Sequence, residues 1–169
     1  MVNVKKRVEP MRYWLMKSEP STFSIDDLVR AKDQTTRWDG VRNFQARNLL
    51  RDDIAVGDGV LFYHSSADPP AVVGIARVAR AGYPDPTQFD AKDDHYDADS
   101  ARDDPRWYAV DISFESKLAR PVTLPELRAT PALSDMVLLR RGSRLSVQPV
   151  TAAEWKQIVK MGGRGAKAS

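Results

Sequence analysis

Cysteine is absent from the chain. That excludes disulfide scaffolds, thiol nucleophiles and thiolate zinc sites, and it fits a cytoplasmic protein. Only two histidines occur, His64 and His95, too few for a histidine-built metal centre. Long apolar runs are missing as well. Val60–Tyr63 and Met136–Leu139 are typical, far short of the ~20 residues that cross a bilayer, so no membrane span is expected. Lys5, Lys6 and Arg7 are followed by no apolar stretch, so no signal peptide is expected either. The G-x-x-x-x-G-K-S/T phosphate loop and the G-x-G-x-x-G fingerprint are lacking, as are the G-x-S-x-G elbow and the H-E-x-x-H pair. Ser18, His64 and Asp111 make a serine–histidine–aspartate trio on paper, but nothing local orients them, and such a triad is defined by geometry. No residue set calls for a cofactor.

What is present suits one domain. The 169 residues can bury a sizeable core without a staple. The charge is uneven. Asp85–Asp104 carries eight aspartates against Lys92 and Arg102, which leaves the other 149 residues at net +9. Seven basic residues and one acid, Glu154, lie between Met136 and Ser169. A basic body points to a polyanion as partner; an ordinary solvated surface with a basic tail is the plainer reading. The Asp-rich run, which contains Asp93-Asp94-His95-Tyr96-Asp97, lacks the glycine and bidentate glutamate of a calcium loop, so it reads as an exposed acidic loop.

Strands dominate the legible elements. They are Tyr13–Met16, Gly59–His64, Ala71–Arg80, Trp107–Leu118 and Arg144–Val150. In the fourth, Tyr108, Val110, Ile112, Phe114 and Leu118 fall on one face by simple alternation. Three helix starts share one device. Ser24, Thr123 and Thr151 each precede by three residues a carboxylate (Asp27, Glu126, Glu154), so hydroxyl and carboxylate can each satisfy an orphan backbone donor. Phe23 with Leu28, Val122 with Leu127 and Val150 with Trp155 are placed as hydrophobic staples. Asn43 caps a fourth helix, and a fifth is expected over Leu133–Arg140, closed by Gly142. Residues 1–10 read as a loose leader and residues 162–169 as a flexible basic tail. Strands that do not alternate with helices predict an α+β fold, a small mixed β-barrel with short peripheral helices.

Trp38 stands out among the aromatics. It lies in a polar, glycine-containing stretch, Arg37-Trp38-Asp39-Gly40-Val41-Arg42-Asn43, where an indole can present its face to a ligand or fold back onto the core. Trp155 is read as structural, at its staple position.

Four blocks together resemble the EVE domain family. They are Tyr13-Trp-Leu-Met-Lys-Ser-Glu-Pro20, Trp38-Asp-Gly-Val-Arg-Asn-Phe-Gln-Ala-Arg-Asn48, Phe62-Tyr-His-Ser65 and Arg141-Gly-Ser-Arg-Leu-Ser-Val-Gln-Pro-Val150, in the family's order across residues 11–161. The resemblance implies a PUA-like fold and a non-catalytic module that recognises a modified nucleobase, modified cytosine or N6-methyladenine, in DNA or RNA. It implies a base pocket drawing on Trp14, Lys17 and Ser18; on Trp38, Gly40, Val41 and Asn43; on Tyr63, His64 and Ser65; and on Arg144 and Ser146. Lys17, Arg42 and Arg144 would then meet phosphates. For His64 the other reading is a core histidine bonded to a backbone group. An accessory module for structured RNA is the alternative function, with an enzyme acting on modified nucleotides behind it. Two departures from the family's pattern stand out. Phe44 occupies a place where tyrosine is usual, and Tyr96-Asp97-Ala98-Asp99-Ser100 replaces a Tyr-Asp-Pro-Lys-Ser run, which removes a lysine. If the Trp38 wall is real, Trp38→Ala is expected to reduce binding much more than folding.

Overall fold

A computed structural model of the chain describes residues 11–167. Its centre is a mixed sheet of seven strands: β1 (Tyr13–Ser18), β2 (Thr35–Trp38), β3 (Gly59–His64), β4 (Ala71–Pro84), β5 (Tyr108–Thr123), β6 (Val147–Val150) and β7 (Arg164–Lys167). The strand order is β2-β5-β4-β3-β1-β6, and β7 adds to β5. Among the described residues only β1 and β3 run parallel; the other pairs are antiparallel. The helices are short: α1 (Ile25–Arg30), α2 (Phe44–Asn48), α3 (Leu124–Arg128) and α4 (Ala152–Gly162). The architecture is α+β, a curved sheet with peripheral helices.

The helix starts follow the sequence. Ser24, Thr123 and Thr151 each form the reciprocal capping box with Asp27, Glu126 and Glu154. Each satisfies two orphan donors at once, and losing such a cap typically destabilises a protein by about 1 kcal/mol. Asn43 caps α2 through its Oδ1, which accepts from the Ala46 amide at 3.0 Å. A π-helical turn, Leu49–Asp53, follows directly.

Each face of the sheet carries its own core. Alternation on β1 sends Trp14 and Met16 to one and Leu15 to the other. On β3, Val60 and Phe62 join Trp14, while Leu61 and Tyr63 join Leu15. The first core also holds Leu28, Trp38, Val110, Ile112 and Phe114. The second holds Val122, Leu127, Val150, Trp155 and Ile158, and Tyr13 stacks on Trp155 with ring centroids 4.5 Å apart.

Four expectations change. Leu118 belongs to the second core and not to the face of Phe114. Ala76 pairs with Phe114 and Ile75 with Ser116, so Glu115 is an extra residue in β5, and that bulge reverses the alternation. In place of a helix over Leu133–Arg140 there are two separate 3-10 turns, Pro131–Leu133 and Val137–Leu139. The last sequence-predicted strand starts later, so Arg144 and Ser146 precede β6. Residues 164–167 pair with β5 instead of fraying as a tail. The leader, residues 1–10, lies outside the described residues. Among the described residues no helix is long and apolar enough to cross a membrane.

Candidate functional site

A cavity of about 540 Å³ opens where the two edges of the sheet approach each other. One wall is the edge strand β2, through Thr36, Arg37 and Trp38. The other comes from the end of β1, Lys17 and Ser18, and from Ser146 just ahead of β6. Strands from opposite edges lining one space is what a sheet curling toward a barrel produces. The segment Asp39–Arg42 and the imidazole of His95 complete the rim. The volume lies within the roughly 300–1,000 Å³ of small-ligand sites.

Trp38 is the last residue of β2, in register with Val110 of β5, and is not in a loop. Its ring meets Phe62 edge-on with centroids 5.5 Å apart, and 8% of the residue remains exposed. It is therefore part of the first core and part of the cavity wall at once. Val41, also buried, adds apolar surface.

The chain turns beside Trp38 at Gly40, which has φ +77°. Its amide donates to Asp85 Oδ2 at 2.8 Å. A Cβ at this position would sit 2.7 Å from His95 Nε2, so the missing side chain is what lets the imidazole lie against the turn. His95 Nδ1 is 3.1 Å from Asp93 Oδ1.

Asp85 organises this corner from a fully buried position. It accepts from the Gly40 amide, from the Thr87 amide and hydroxyl, and from Arg42 Nη1. Burial alone would raise its pKa, but the hydrogen bonds from Thr87, Gly40 and Arg42 outweigh burial and hold the carboxyl below its ordinary range. Gln88, buried beside it, donates to the Asp85 and Trp107 carbonyls and accepts from the Trp107 amide and the Ser100 hydroxyl. The start of the acidic segment is thus interior scaffold and not exposed loop. Asp97, in the run where the lysine is lost, accepts from the Trp107 indole at 2.7 Å.

Lys17 is half-buried on the cavity wall. Burial pushes its ammonium below the ordinary lysine value. No described carboxylate lies within ion-pair distance of it. Arg37, by contrast, is tied to Asp39 at 2.8 Å. The Ser18 hydroxyl donates to the Phe23 carbonyl.

Of the residues assigned from sequence, Lys17, Ser18, Trp38, Gly40, Val41, Arg42 and Ser146 line this cavity. The others are elsewhere. Trp14 is fully buried, and its indole donates to the buried Asp58 carboxylate at 2.9 Å, so it anchors the core. Tyr63 alternates to the opposite core. His64 Nε2 accepts from the Ile25 amide at 3.1 Å, the backbone-bonded reading of this residue, and burial lowers its pKa against the opposing pull of Asp26. Ser65 uses its amide on the Ser18 carbonyl. Asn43, occupied as a cap, and Arg144 face a neighbouring depression. Arg42 is corrected as a phosphate ligand. Its five guanidinium hydrogens are engaged by the His95, Val41, Asp85 and Thr87 oxygens. The paper trio of Ser18, His64 and Asp111 does not assemble either: the Ser18 hydroxyl donates to the Phe23 carbonyl, His64 Nε2 accepts from the Ile25 amide, and Asp111 accepts from the Tyr83 hydroxyl, so no member bonds another.

Sequence reasoning missed β2 and His95. The run Thr35-Thr36-Arg37-Trp38 carries a strand signal, two β-branched residues and an aromatic. Nothing local marked His95, because a contact 55 residues from Gly40 in sequence has no periodicity.

The EVE domain profile matches residues 12–161. The chain belongs to the EVE domain family. Thymocyte nuclear protein 1 of Homo sapiens is 41% identical over 166 residues, covering 88% of this chain and 73% of the relative. Its Danio rerio counterpart is 42% identical over 165 residues, covering 88% and 71%. Among solved structures, a hypothetical protein from Leishmania major superposes with TM-score 0.86 at 44% identity, covering 92% of this EVE chain and 97% of that one. The human THYN1 protein, crystallised in complex with 5-methylcytosine-containing DNA, superposes with TM-score 0.85 at 38% identity, covering 92% and 99%. An ASCH protein from Zymomonas mobilis, at TM-score 0.51 and 11% identity, shares the fold alone.

Proposed function

We propose that this EVE protein is a non-catalytic module that reads a modified base, modified cytosine foremost, in DNA, by taking the base into the cavity beside Trp38. The observation that carries the reading is a ligand-sized cavity with an indole wall and a half-buried lysine that has no carboxylate partner among the described residues. It stands in a fold whose human relative is crystallised on 5-methylcytosine-containing DNA. A base removed from its stack needs an apolar or aromatic surface and a few polar groups for its edge. Trp38 and Val41 supply the first; Ser146, His95 and the backbone of residues 39–41 supply the second. Lys17 is placed to meet a phosphate or an acceptor on the base.

Bonding within the site supports binding without chemistry. The Ser18 proton goes to a carbonyl and not to a general base, so the hydroxyl is not activated. The cysteine-free composition supports work in a reducing compartment, the cytoplasm or, as in the name of the animal relatives, the nucleus.

The test is a panel of matched oligonucleotides, DNA and RNA, with cytosine, 5-methylcytosine, adenine or N6-methyladenine at one position, followed by mass spectrometry of the recovered strand. The expected result is preferential binding of a modified DNA and an unchanged strand mass. Tighter binding of the RNA set regardless of modification supports the accessory RNA module instead. A mass change or strand cleavage that tracks with the protein refutes the non-catalytic reading.

A further inference from the structure

A second depression of about 390 Å³ adjoins the first. Two chain segments separate them. Val41, Arg42 and Ser146 face the first cavity, while Asn43, Arg144 and Leu145 face the second, so in both segments the ridge falls between consecutive residues. Among the described residues the second is lined by three exposed arginines, Arg140, Arg141 and Arg144, and by no acid.

The local fold gathers these charges on purpose-built geometry. The 3-10 turn Val137–Leu139 ends at Arg140. A tight turn follows, in which the Ser143 amide donates to the Arg140 carbonyl at 3.2 Å. Gly142, at φ +77° with open space around it, takes the left-handed position that such a turn requires. Arginines on both sides of the turn therefore converge on one hollow. The Arg37, Arg42 and Arg106 guanidiniums each have a carboxylate partner. Among the described residues Arg140, Arg141 and Arg144 have none, although like charges held together repel. Ser143 belongs to the same lining, and its hydroxyl, turned away from solvent, lacks a hydrogen-bond partner among the described residues. Guanidiniums without a described carboxylate, next to a hydroxyl without a described partner, are donors that an incoming acceptor can satisfy.

We infer that this depression holds consecutive backbone phosphates of the strand whose base enters the neighbouring cavity, with Arg140, Arg141 and Arg144 as the cations and Ser143 as a neutral donor. The inference rests on the base-reading function for the identity of the strand. Charge complementarity and the shared ridge favour nucleic acid over an acidic peptide.

The experiment compares the parent protein with the triple variant Arg140→Gln/Arg141→Gln/Arg144→Gln. Arg128→Gln, on the exposed face of α3, serves as control. The probes are a 12-mer DNA with one central 5-methylcytosine and its unmethylated twin, titrated between 50 and 200 mM salt. Each lost phosphate contact flattens the log–log salt slope by about 0.7 to 0.9. Over that range, three lost contacts remove roughly 20- to 40-fold of the salt-induced weakening. The ratio of affinities for the two probes stays the same, and the control behaves as the parent. Thermal melts confirm that the variant folds. An unchanged salt slope in the folded triple variant overturns the inference, as does loss of binding to a poly-glutamate peptide with DNA binding intact. If the slope flattens but the parent shows no methyl preference, the phosphate groove stands and the base reading fails.

Discussion

Replacing Gly40 with alanine perturbs the corner where β2, the acidic segment and the cavity meet. The residue has φ +77°, where an L side chain is strained by roughly 1–2 kcal/mol. The new methyl would also sit 2.7–3.0 Å from three atoms of the His95 ring. His95 is exposed and can swing away, at the loss of its contact with Asp93, a hydrogen bond worth about 0.5–1.5 kcal/mol net. Alanine lowers the entropy of the unfolded chain, which offsets about 0.4–1 kcal/mol. The net destabilisation is therefore on the order of 1–2 kcal/mol, or a fall in Tm of roughly 2–8 °C for a chain of this length. The assay is thermal and urea unfolding of four proteins: parent, Gly40→Ala, His95→Ala and the double variant. In the His95→Ala background the steric part is gone, so Gly40→Ala should destabilise by less than about 1 kcal/mol there. Equal effects in the two backgrounds would refute the contact between the imidazole and the turn. No destabilisation in either background would refute the left-handed backbone.

Asp85→Ala leaves the Arg42 charge without its buried partner and is expected to destabilise by about 3–5 kcal/mol in urea titrations. Because the Asp85 carboxyl titrates below its ordinary value of 3.8, its contribution is complete above that pH and is lost as pH falls through the lower folded value; acid unfolding of Asp85→Asn should lack that component. His64 is also depressed, by burial, so the stability of its neutral form is complete above about pH 6.5 and declines as pH drops toward the lowered folded value. The Tm of the parent should therefore fall from pH 7.5 to 5 more than that of His64→Gln, since only neutral imidazole accepts the Ile25 amide. Trp38→Ala should destabilise by about 3–5 kcal/mol, because the indole is core as well as cavity wall. Trp38→Phe is the cleaner probe: it should fold, and it should weaken binding of methylated DNA in a fluorescence anisotropy titration.

That last point corrects an expectation drawn from sequence, and the reason is general. Arg37-Trp38-Asp39-Gly40 reads as a polar loop, because the partner of β2 is β5, more than 70 residues away. Local pattern found the capping boxes at Ser24, Thr123 and Thr151, since their partners lie three residues apart. It found β3 and most of β5, where alternation holds. It failed at Leu118, because the bulge at Glu115 is visible only in the pairing of two strands. At the site, the block match located both cavity edges, Lys17–Ser18 and Trp38–Val41. It could not tell which aromatics of a block face inward. Trp14 and Tyr63 sit on alternating strands between two cores, and each side chain is claimed by packing. Arg42 looked like a phosphate ligand because the charge is legible and the buried Asp85, 43 residues on, is not.

Occupation of the cavity beside Trp38 by a modified base underlies the proposed function. It is tested most directly by the affinity ratio for a 5-methylcytosine duplex over its cytosine twin, measured with the parent and with Ser146→Trp, whose bulk fills the cavity from the β6 side. Burial of one methyl is worth about 0.8 kcal/mol, so the parent should prefer the methylated duplex by roughly 4-fold or more. Ser146→Trp should bring the ratio to one while keeping salt-dependent binding to both duplexes. A parent ratio of one, or a methyl preference that survives in Ser146→Trp, contradicts the account.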